Sequence, residues 1–278
     1  MIATRSAASM SSVPSGGRVA LTDDQLRRAA PSIFAASPWE TMSDRYRFIP
    51  TIEVVHILKD KGYLPTTAIQ SRSRIEGKGN FTKHLLRFRE ASAFGALVPG
   101  QSIAELVLVN SHDGTSGYQL MSGIYEVRCA NGMVCHSADL GSVSVRHTGG
   151  KDFDQQIIDA TYEVMDTGPR TLETIRDWKQ LALPAPAREA FAAAVLELTH
   201  EKPIQAPQLL RPRREDDKND SLWTVSNVVQ ENMIRGGLRG TTPSGKRSTT
   251  RAVNSVGENL RLNKAIWTLT EKMAQLIG

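Results

Sequence analysis

The sequence predicts an α+β fold in which an antiparallel sheet, a hairpin plus further strands, is packed by helices and followed by a helical C-terminal part. Three observations predict this class. Two short helical patterns open the chain, strand-like segments separated by turn residues fill 64–147, and helical periodicity returns from 152 onward. This order differs from the alternating βα units that build a parallel sheet.

Two helices are predicted before the first strand. In LTDDQLRRAA, 21–30, Thr22 or Asp23 occupies the N-cap position. In TIEVVHILKDKGY, 51–63, Gly62 is placed to end the helix. Four side chains of that segment share one face at helical spacing: Thr51, Val54, Val55 and Leu58.

Six segments carry strand patterns, with turn residues between them. They are 64–74, 81–90, 104–110, 118–129, 133–137 and 142–147. Gly123 interrupts the fourth segment, and a glycine inside a strand often marks a bulge or a sharp bend. Asn131-Gly132 is a hairpin signal, which predicts a chain reversal before the fifth segment.

Helical patterns return in the second half of the chain. They cover 152–166, about 170–182, 187–200, 222–237 and 253–277. Between the third and fourth of these lies RPRREDDKND, with four cations and four anions. The predicted organisation is a disordered tail (1–20), an α+β core domain (21–200), a charged linker (201–220) and a C-terminal helical region packed on the core (221–278).

The compartment is predicted from the cysteines and the first residues. Two cysteines cannot form a disulfide framework, and no stretch approaches the roughly 18 apolar residues of a membrane span. Residues 1–20 are rich in Ser, Ala and Gly, with two Arg and no acid. This composition overlaps that of an organellar transit peptide, but a disordered bacterial tail is the simpler interpretation. We therefore predict a cytoplasmic bacterial protein with no membrane partner.

Charge is unevenly distributed along the 278 residues. The 34 Lys and Arg and 29 Asp and Glu leave a net charge of +5. Segment 41–90 has ten bases against five acids (+5), 152–200 has four against nine (−5), and 234–264 has seven against one (+6). Two basic regions thus flank an acidic middle, and such regions are typical of polyanion binding.

The first basic region is predicted to form a positive stripe. Arg72 and Arg74 lie two apart on one predicted strand, and Arg87 and Arg89 do so on the next, so each pair shares a face. Such stripes bind phosphate backbones mostly without reading base sequence. A solvated sheet face with acidic cross-strand partners explains the same pattern; the candidates are Glu76 and Glu90.

The second basic region is GGLRGTTPSGKRSTTR, 236–251. It combines Gly, Ser, Thr and cations and contains no acid. Hydroxyls, backbone amides and Arg are common phosphate donors. The alternative interpretation is a disordered loop between two helices.

No catalytic site is predicted. His112-Asp113 lies in HDGTSG between two strands, where a sharp turn explains Asp-Gly more simply than catalysis does. Cys129, Cys135-His136 and His147 match no common zinc spacing. Phosphate-binding glycine loops, dinucleotide fingerprints, nucleophile elbows and HExxH helices are absent from the sequence. We therefore predict no enzymatic activity, no metal and no cofactor.

Three segments carry a resemblance to known proteins. They are SRSRIEGKGNFTKHLLRF, LVNSHDGTSGYQLMSGIYEVRCANGMV and the tail WTVSNVVQENMIRGGLRG with TTRAVNSVGENLRLNKAIW. Together they resemble a phage- and plasmid-related family of bacterial proteins long catalogued as a domain of unknown function. The resemblance spans about 43–278, with 110–132 as its most specific part, and implies a protein of a bacterial mobile element.

A more distant resemblance concerns the order of elements. A helix ending at Gly-Tyr, a β-hairpin, a third strand and a long helix are similar to the annealing core of Rad-type and Redβ-type recombination mediators. Those proteins form rings or filaments and hold single-stranded DNA in a basic groove without a nucleotide cofactor. The resemblance implies phosphate contacts on the hairpin. With the second basic region, the predicted DNA-binding residues are Arg72, Arg74, Lys78, Lys83, Arg87, Arg89, Arg239, Lys246, Arg247 and Arg251.

The function expected from these observations is single-stranded DNA binding and annealing by a homo-oligomer, in homologous recombination or maintenance of a plasmid or prophage. Its partners would be single-stranded DNA, further copies of itself, and a phage or plasmid exonuclease or host replication protein. The alternative is a mobile-element accessory protein that binds a host protein through the acidic 152–200 helices and does not anneal DNA.

Overall fold

A computed structural model of the chain describes residues 19–95, 98–127, 131–134, 142–145, 147, 153–199, 204–242 and 244–278. It confirms an α+β fold with an antiparallel sheet, packing helices and a C-terminal helix. The helices are α1 (Asp23–Ala29), α2 (Thr51–Asp60), α3 (Phe153–Met165), α4 (Gly168–Gln180), α5 (Ala185–Leu196), α6 (Ala206–Leu209), α7 (Leu222–Arg235) and α8 (Val256–Ile277). The strands are β1 (Tyr63–Gln70), β2 (His84–Glu90), β3 (Ser102–Asn110), β4 (Tyr118–Glu126), β5 (Asn131–Val134), β6 (Ser142–Val145), β7 (Arg239–Thr241) and β8 (Arg247–Thr249).

The two N-terminal helices begin and end as their sequences predict. Thr22 caps α1 in a capping box, because its hydroxyl accepts from the Gln25 amide while the Gln25 side chain accepts from the Thr22 amide. The buried face of α2 consists of the four residues chosen by helical spacing. Gly62 follows with a φ of 83°, and β1 begins at the next residue.

One antiparallel sheet contains β1 to β6. The order is β1-β2-β3-β4, and the second edge of β4 is shared by β5 at its C-terminal half and β6 at its N-terminal half. Asn131 and Gly132 lie inside the β4–β5 ladder, so the expected hairpin turn is not at these two residues. Helix α6 lies inside the segment predicted as a charged linker, and its Leu209 is fully buried.

Gly123 does not mark a bulge or a bend in β4, although the sequence suggested one. β4 pairs with β3 in continuous register through Gly123, opposite Glu105. A β-carbon at Gly123 would lie 2.6 Å from the Val107 side chain and 3.2 Å from the Met133 carbonyl oxygen. The glycine is therefore explained by the close approach of its neighbours and not by a bend.

Both faces of the sheet are buried. Leu86, Phe88 and Leu120 lie on the first face and pack with α1, α2 and Val164 of α3. On the second face, Leu85, Val107 and Met121 pack against the first turns of α8, at Val256 and Leu260. Strands covered on both faces lose the alternation of apolar and polar residues, which explains why even neighbouring residues of β4, such as Leu120 and Met121, are both buried.

The C-terminal helices share a core with one end of the sheet. Ile124 and Met133 of the sheet belong to the same buried cluster as residues of α4, α5, α7 and α8. Three tryptophans lie at its centre, with ring centroids 4.8 to 6.4 Å apart: Trp178, Trp223 and Trp267. This packing fixes the N-terminus of α8 over the sheet, which positions the surface described next.

Candidate nucleic-acid interface

Arg87 and Arg89 are buried ion-pair residues. They share one face of β2, as predicted, but that face is covered: Arg87 is 8% exposed and Arg89 is 0% exposed. Glu105 on β3 accepts from both guanidinium groups, at 3.1 Å from Arg87 Nη1 and 2.8 Å from Arg89 Nη2. Arg89 also lies 4.3 Å from the ring centroid of Tyr125. The prediction of a four-arginine stripe at the surface is therefore wrong, because Arg87 and Arg89 are buried.

The register of the sheet brings this cluster together. Arg89 stands directly opposite Glu105 in the β2–β3 ladder, and Arg87 lies two residues along the same face. A lone Glu in the apolar strand AELVLVN is the signal that could have found it, because a buried carboxylate requires a cation or hydrogen-bond donors. The alternative interpretation predicted Glu76 or Glu90 as the partner of these arginines on a solvated face. In the structure the partner is Glu105, and the face is buried.

Three of the remaining cations of the first basic region, Arg72, Lys78 and Lys83, line a cavity of about 280 Å³, the basic cleft. β1 ends at Gln70, so Arg72 and Arg74 lie on the exposed loop between β1 and β2 and not on a strand. Lys78 forms an ion pair with the buried Asp113, 3.3 Å from Nζ to Oδ2. Besides Ser71 and Ser73, the basic cleft is lined by Arg72, Lys78, Thr82, Lys83, Asp113, Thr115, Ser255 and Gly257.

The N-terminus of α8 forms one wall of the basic cleft. Ser255 is the N-cap, and its hydroxyl accepts from the amide of Glu258 at 3.4 Å. Lys83 Nζ lies 3.7 Å from where a β-carbon on Gly257 would be. The partial positive charge of a helix N-terminus thus adds to the charge of Lys83, and both favour an anion.

The second basic region is a β-hairpin, the basic hairpin, formed by β7 and β8. Gly236 follows α7 with a φ of 63° and lies against the backbone of Arg251 at the other end of the hairpin. A β-carbon on Gly236 would lie only 2.6 Å from the Arg251 carbonyl, so a larger residue would not fit. The base of the hairpin is fixed by backbone hydrogen bonds between Leu238 and Thr250 and between Val253 and Ile234. Its four cationic side chains are exposed: Arg239, Lys246, Arg247 and Arg251.

A buried polar network lies beneath the basic cleft. The Thr51 hydroxyl is 2.9 Å from His84 Nε2 and 3.3 Å from His112 Nε2, and it accepts from the Asn110 amide at 3.0 Å. Asn110 in turn is 2.9 Å from His147 Nε2. The network ties α2 to the ends of β2 and β3, where the loops that form the cleft begin.

Burial keeps these histidines neutral. Loss of solvent lowers the pKa of His84 to about 4 and that of His112 to about 3, and it lowers the pKa of His147 as well. The neighbouring Asp113 holds the turn, because its Oδ1 accepts from both the amide and the hydroxyl of Thr115. The turn interpretation of His112-Asp113 is therefore confirmed.

Two further sequence predictions concern a metal site and a membrane span. Cys129, Cys135 and His136, the members of the metal pattern that we considered with His147, lie outside the described residues. Within the described residues, no three His, Cys, Asp or Glu side chains are grouped to hold a metal ion. No helix in that same part of the chain combines the length and apolar character that crossing a bilayer requires.

Comparison with known proteins identifies a family and similar proteins. The family described as "Domain of unknown function (DUF932)" matches residues 38–267. The chain is similar to two proteins of Escherichia coli (strain K12), each over 256 residues and 91% of both chains: UPF0380 protein YafZ, 39% identical, and UPF0380 protein YfjQ, 38% identical. No solved structure matches. The family-level resemblance is thereby confirmed, whereas the similarity to annealing cores stays a prediction.

We predict that Glu105→Gln lowers the free energy of unfolding by about 3–5 kcal/mol, because it removes the negative charge that two buried guanidinium groups share. Urea unfolding at neutral pH measures the change. The matched control is Glu258→Gln, whose carboxylate pairs with Arg261 at 2.7 Å on the surface and should cost about 0–1 kcal/mol. Equal losses in the two variants would contradict a special contribution from the buried cluster.

We predict that stability falls in acid because the buried histidines bind protons only when the chain unfolds. The folded pKa values lie below the ordinary value of 6.5, so the stabilisation is complete above pH 6.5 and is lost as the pH falls toward 4. The slope is at most about 1.4 kcal/mol per pH unit for each histidine. Urea unfolding between pH 7 and pH 5 should show a smaller slope for His84→Gln than for the exposed-residue control His56→Gln; identical slopes would refute the assignment.

Proposed function

This chain belongs to the DUF932 family, and from its own charged surface we propose that it binds single-stranded DNA and promotes annealing of complementary strands as a homo-oligomer. The proposed setting is the cytoplasm of a bacterium that carries a plasmid or prophage, in recombination or maintenance of that element. No nucleotide cofactor enters the mechanism. A phage or plasmid exonuclease or a host replication protein is the further partner expected.

The observation that carries the proposal is the convergence of two basic surfaces on the start of α8. Ser255 lines the basic cleft, and Arg251 at the end of the basic hairpin precedes it by four residues, a chain length of at most about 14 Å. The two regions, far apart in sequence, therefore approach each other at the start of α8. The cations concerned are Arg72, Arg74, Lys83, Arg239, Lys246, Arg247 and Arg251.

The form of this surface favours a single strand. Its cations stand on a loop and a short hairpin, and loops of this kind follow a flexible phosphate backbone without reading base edges. Half-buried aromatic rings lie beneath the loop that carries Arg72 and Arg74: Trp39 and Phe81 have centroids 5.2 Å apart, and Trp39 is 3.8 Å from where a β-carbon on Gly77 would be. Aromatic rings beside cations are the usual platform for unstacked bases.

Annealing follows from charge neutralisation. Lys and Arg release counterions from the first strand and reduce its repulsion of the second. Arg87 and Arg89 contribute to this mechanism indirectly, because they stabilise β2, whereas Lys78 is largely neutralised by Asp113. Neighbouring subunits would present adjacent stretches of the strand with the bases accessible for pairing.

We predict that Lys246→Ala/Arg247→Ala weakens binding of single-stranded DNA and reduces the slope of log affinity against log salt by about 1.4, since each phosphate contact contributes about 0.7. Fluorescence anisotropy over a salt series measures both quantities. Arg72→Ala/Lys83→Ala tests the basic cleft in the same way, because both residues line it. The matched control is Arg170→Ala/Arg176→Ala, which removes the same charge from exposed positions of α4.

Two results would reject the proposal. One is an equal loss of affinity and slope in the α4 control, which would mean that net charge alone attracts DNA. The other is no DNA binding at low salt combined with capture of one host protein, which an acidic surface on α3 and α4 would explain. That second result would support the accessory-protein alternative.

A further inference from the structure

A groove beneath the basic hairpin has the properties of a site for one nucleobase. It is a cavity of about 330 Å³ between β8, α7 and the C-terminal end of α5, near the lower end of the range for ligand pockets. Its floor is apolar and belongs to the C-terminal core, with side chains that are largely buried but reach the cavity: Leu196, Ile204, Leu209, Met233 and Val253.

The wall formed by β8 supplies polar groups. β8 is paired with β7 along one edge. The Thr250 amide bonds the Leu238 carbonyl and the Thr250 carbonyl accepts from the Gly237 amide, so the backbone N–H and C=O of Thr249, one residue earlier, point away from β7. Ser248 and Thr249 also line the cavity. A donor and an acceptor thus stand beside an apolar floor.

The rim of the groove is positively charged. Arg251 lines the cavity, and the whole segment 236–251 contains no acidic residue. Asn232 also borders the cavity, but its side chain is held by the fold: its amide donates to the Leu209 and Arg211 carbonyls and its oxygen accepts from Arg213. The positive charge of Arg251 complements a phosphate bound beside the groove. A nucleotide therefore fits this site better than a neutral apolar ligand or a basic peptide does.

We propose that this groove receives one unstacked base of the bound strand, with the adjoining phosphate on Arg251. The inference rests on the proposed function and deepens it, because it names a base contact under the basic hairpin in addition to the phosphate contacts and the aromatic rings Trp39 and Phe81. Burial of the flat apolar face of a base against the floor stabilises the complex. The backbone groups of Thr249 meet the polar edge of the base, so different bases are tolerated.

The test compares two probes of equal length: an oligothymidylate and an abasic phosphodiester with the same number of phosphates. The full-length protein should bind the oligothymidylate at least tenfold more tightly, because the groove alone contributes about tenfold, on the scale of one base contact. Met233→Gln/Val253→Thr puts polar groups into the floor of the groove and should reduce this ratio about tenfold, the contribution of one base contact. Its affinity for the abasic strand should stay within about twofold of wild type.

The matched control variant is Met165→Gln/Val145→Thr, which makes the same substitutions at half-buried positions beside the core under α1 and α2. It should keep the wild-type ratio, and thermal unfolding of both variants verifies that each is folded. Salt-dependent but equal binding of the two probes would overturn the base site while leaving the proposed function standing. Binding of neither probe would refute the proposed function itself. Binding of an acidic extended peptide that the groove variant abolishes would assign the groove to a polypeptide strand instead.

Discussion

The ion pairs between Glu105 and the two arginines of β2 determine how the rest of this molecule is organised. A carboxylate buried in the middle of a sheet is tolerated because two guanidinium groups on the neighbouring strand approach it within 3.1 Å. This arrangement fixes the register of β2 against β3, and it requires a cover over that face of the sheet. α8 covers the apolar part of the same face through Val256 and Leu260, and its N-terminus is thereby held beside the loop that carries Arg72 and Arg74.

The distribution of charge has two causes that the sequence alone does not separate. Cations that hold the fold together lie inside it, as Arg87, Arg89 and the Asp113-paired Lys78 do. Among the cations of the two basic regions that remain at the surface, Arg72 and Lys83 line the basic cleft, and Arg239, Lys246, Arg247 and Arg251 belong to the basic hairpin. The sites where binding is proposed are therefore built on the same helix that closes the core, so a rigid support carries loops that can follow a flexible strand.

Local patterns were predictable where the signal is contained in a few residues. The buried face of α2, the start of α1 after an N-cap and the Asp113 turn follow from short-range spacing and side-chain chemistry. The fate of Arg87 and Arg89 did not follow, because period-two spacing shows that two residues share a face and does not show whether a distant helix covers it. Lys78 and Asp113 are 35 residues apart, and the groove under the basic hairpin joins α5, α7 and β8. Such long-range juxtapositions depend on packing and not on local preference.

The sequence resemblance identified the family of this chain but gave no information about its activity. Family membership agrees with the run of residues through the β3–β4 turn, where the buried network of Thr51, His84 and His112 supports the loops of the cleft. It supplies no activity, so the functional account depends on the charged surface of this chain. The central claim is that one continuous surface, formed by the basic cleft, the start of α8 and the basic hairpin, binds a single strand.

Hydrogen–deuterium exchange of the full chain with and without a single-stranded oligonucleotide tests that claim most directly, because it maps the bound surface without any substitution. The account predicts slower exchange at 71–83, 239–251 and the first turn of α8, with no change in α3 and α4. Slower exchange confined to α3 and α4, or no change at the basic cleft and the basic hairpin under conditions where the oligonucleotide is bound, would contradict it.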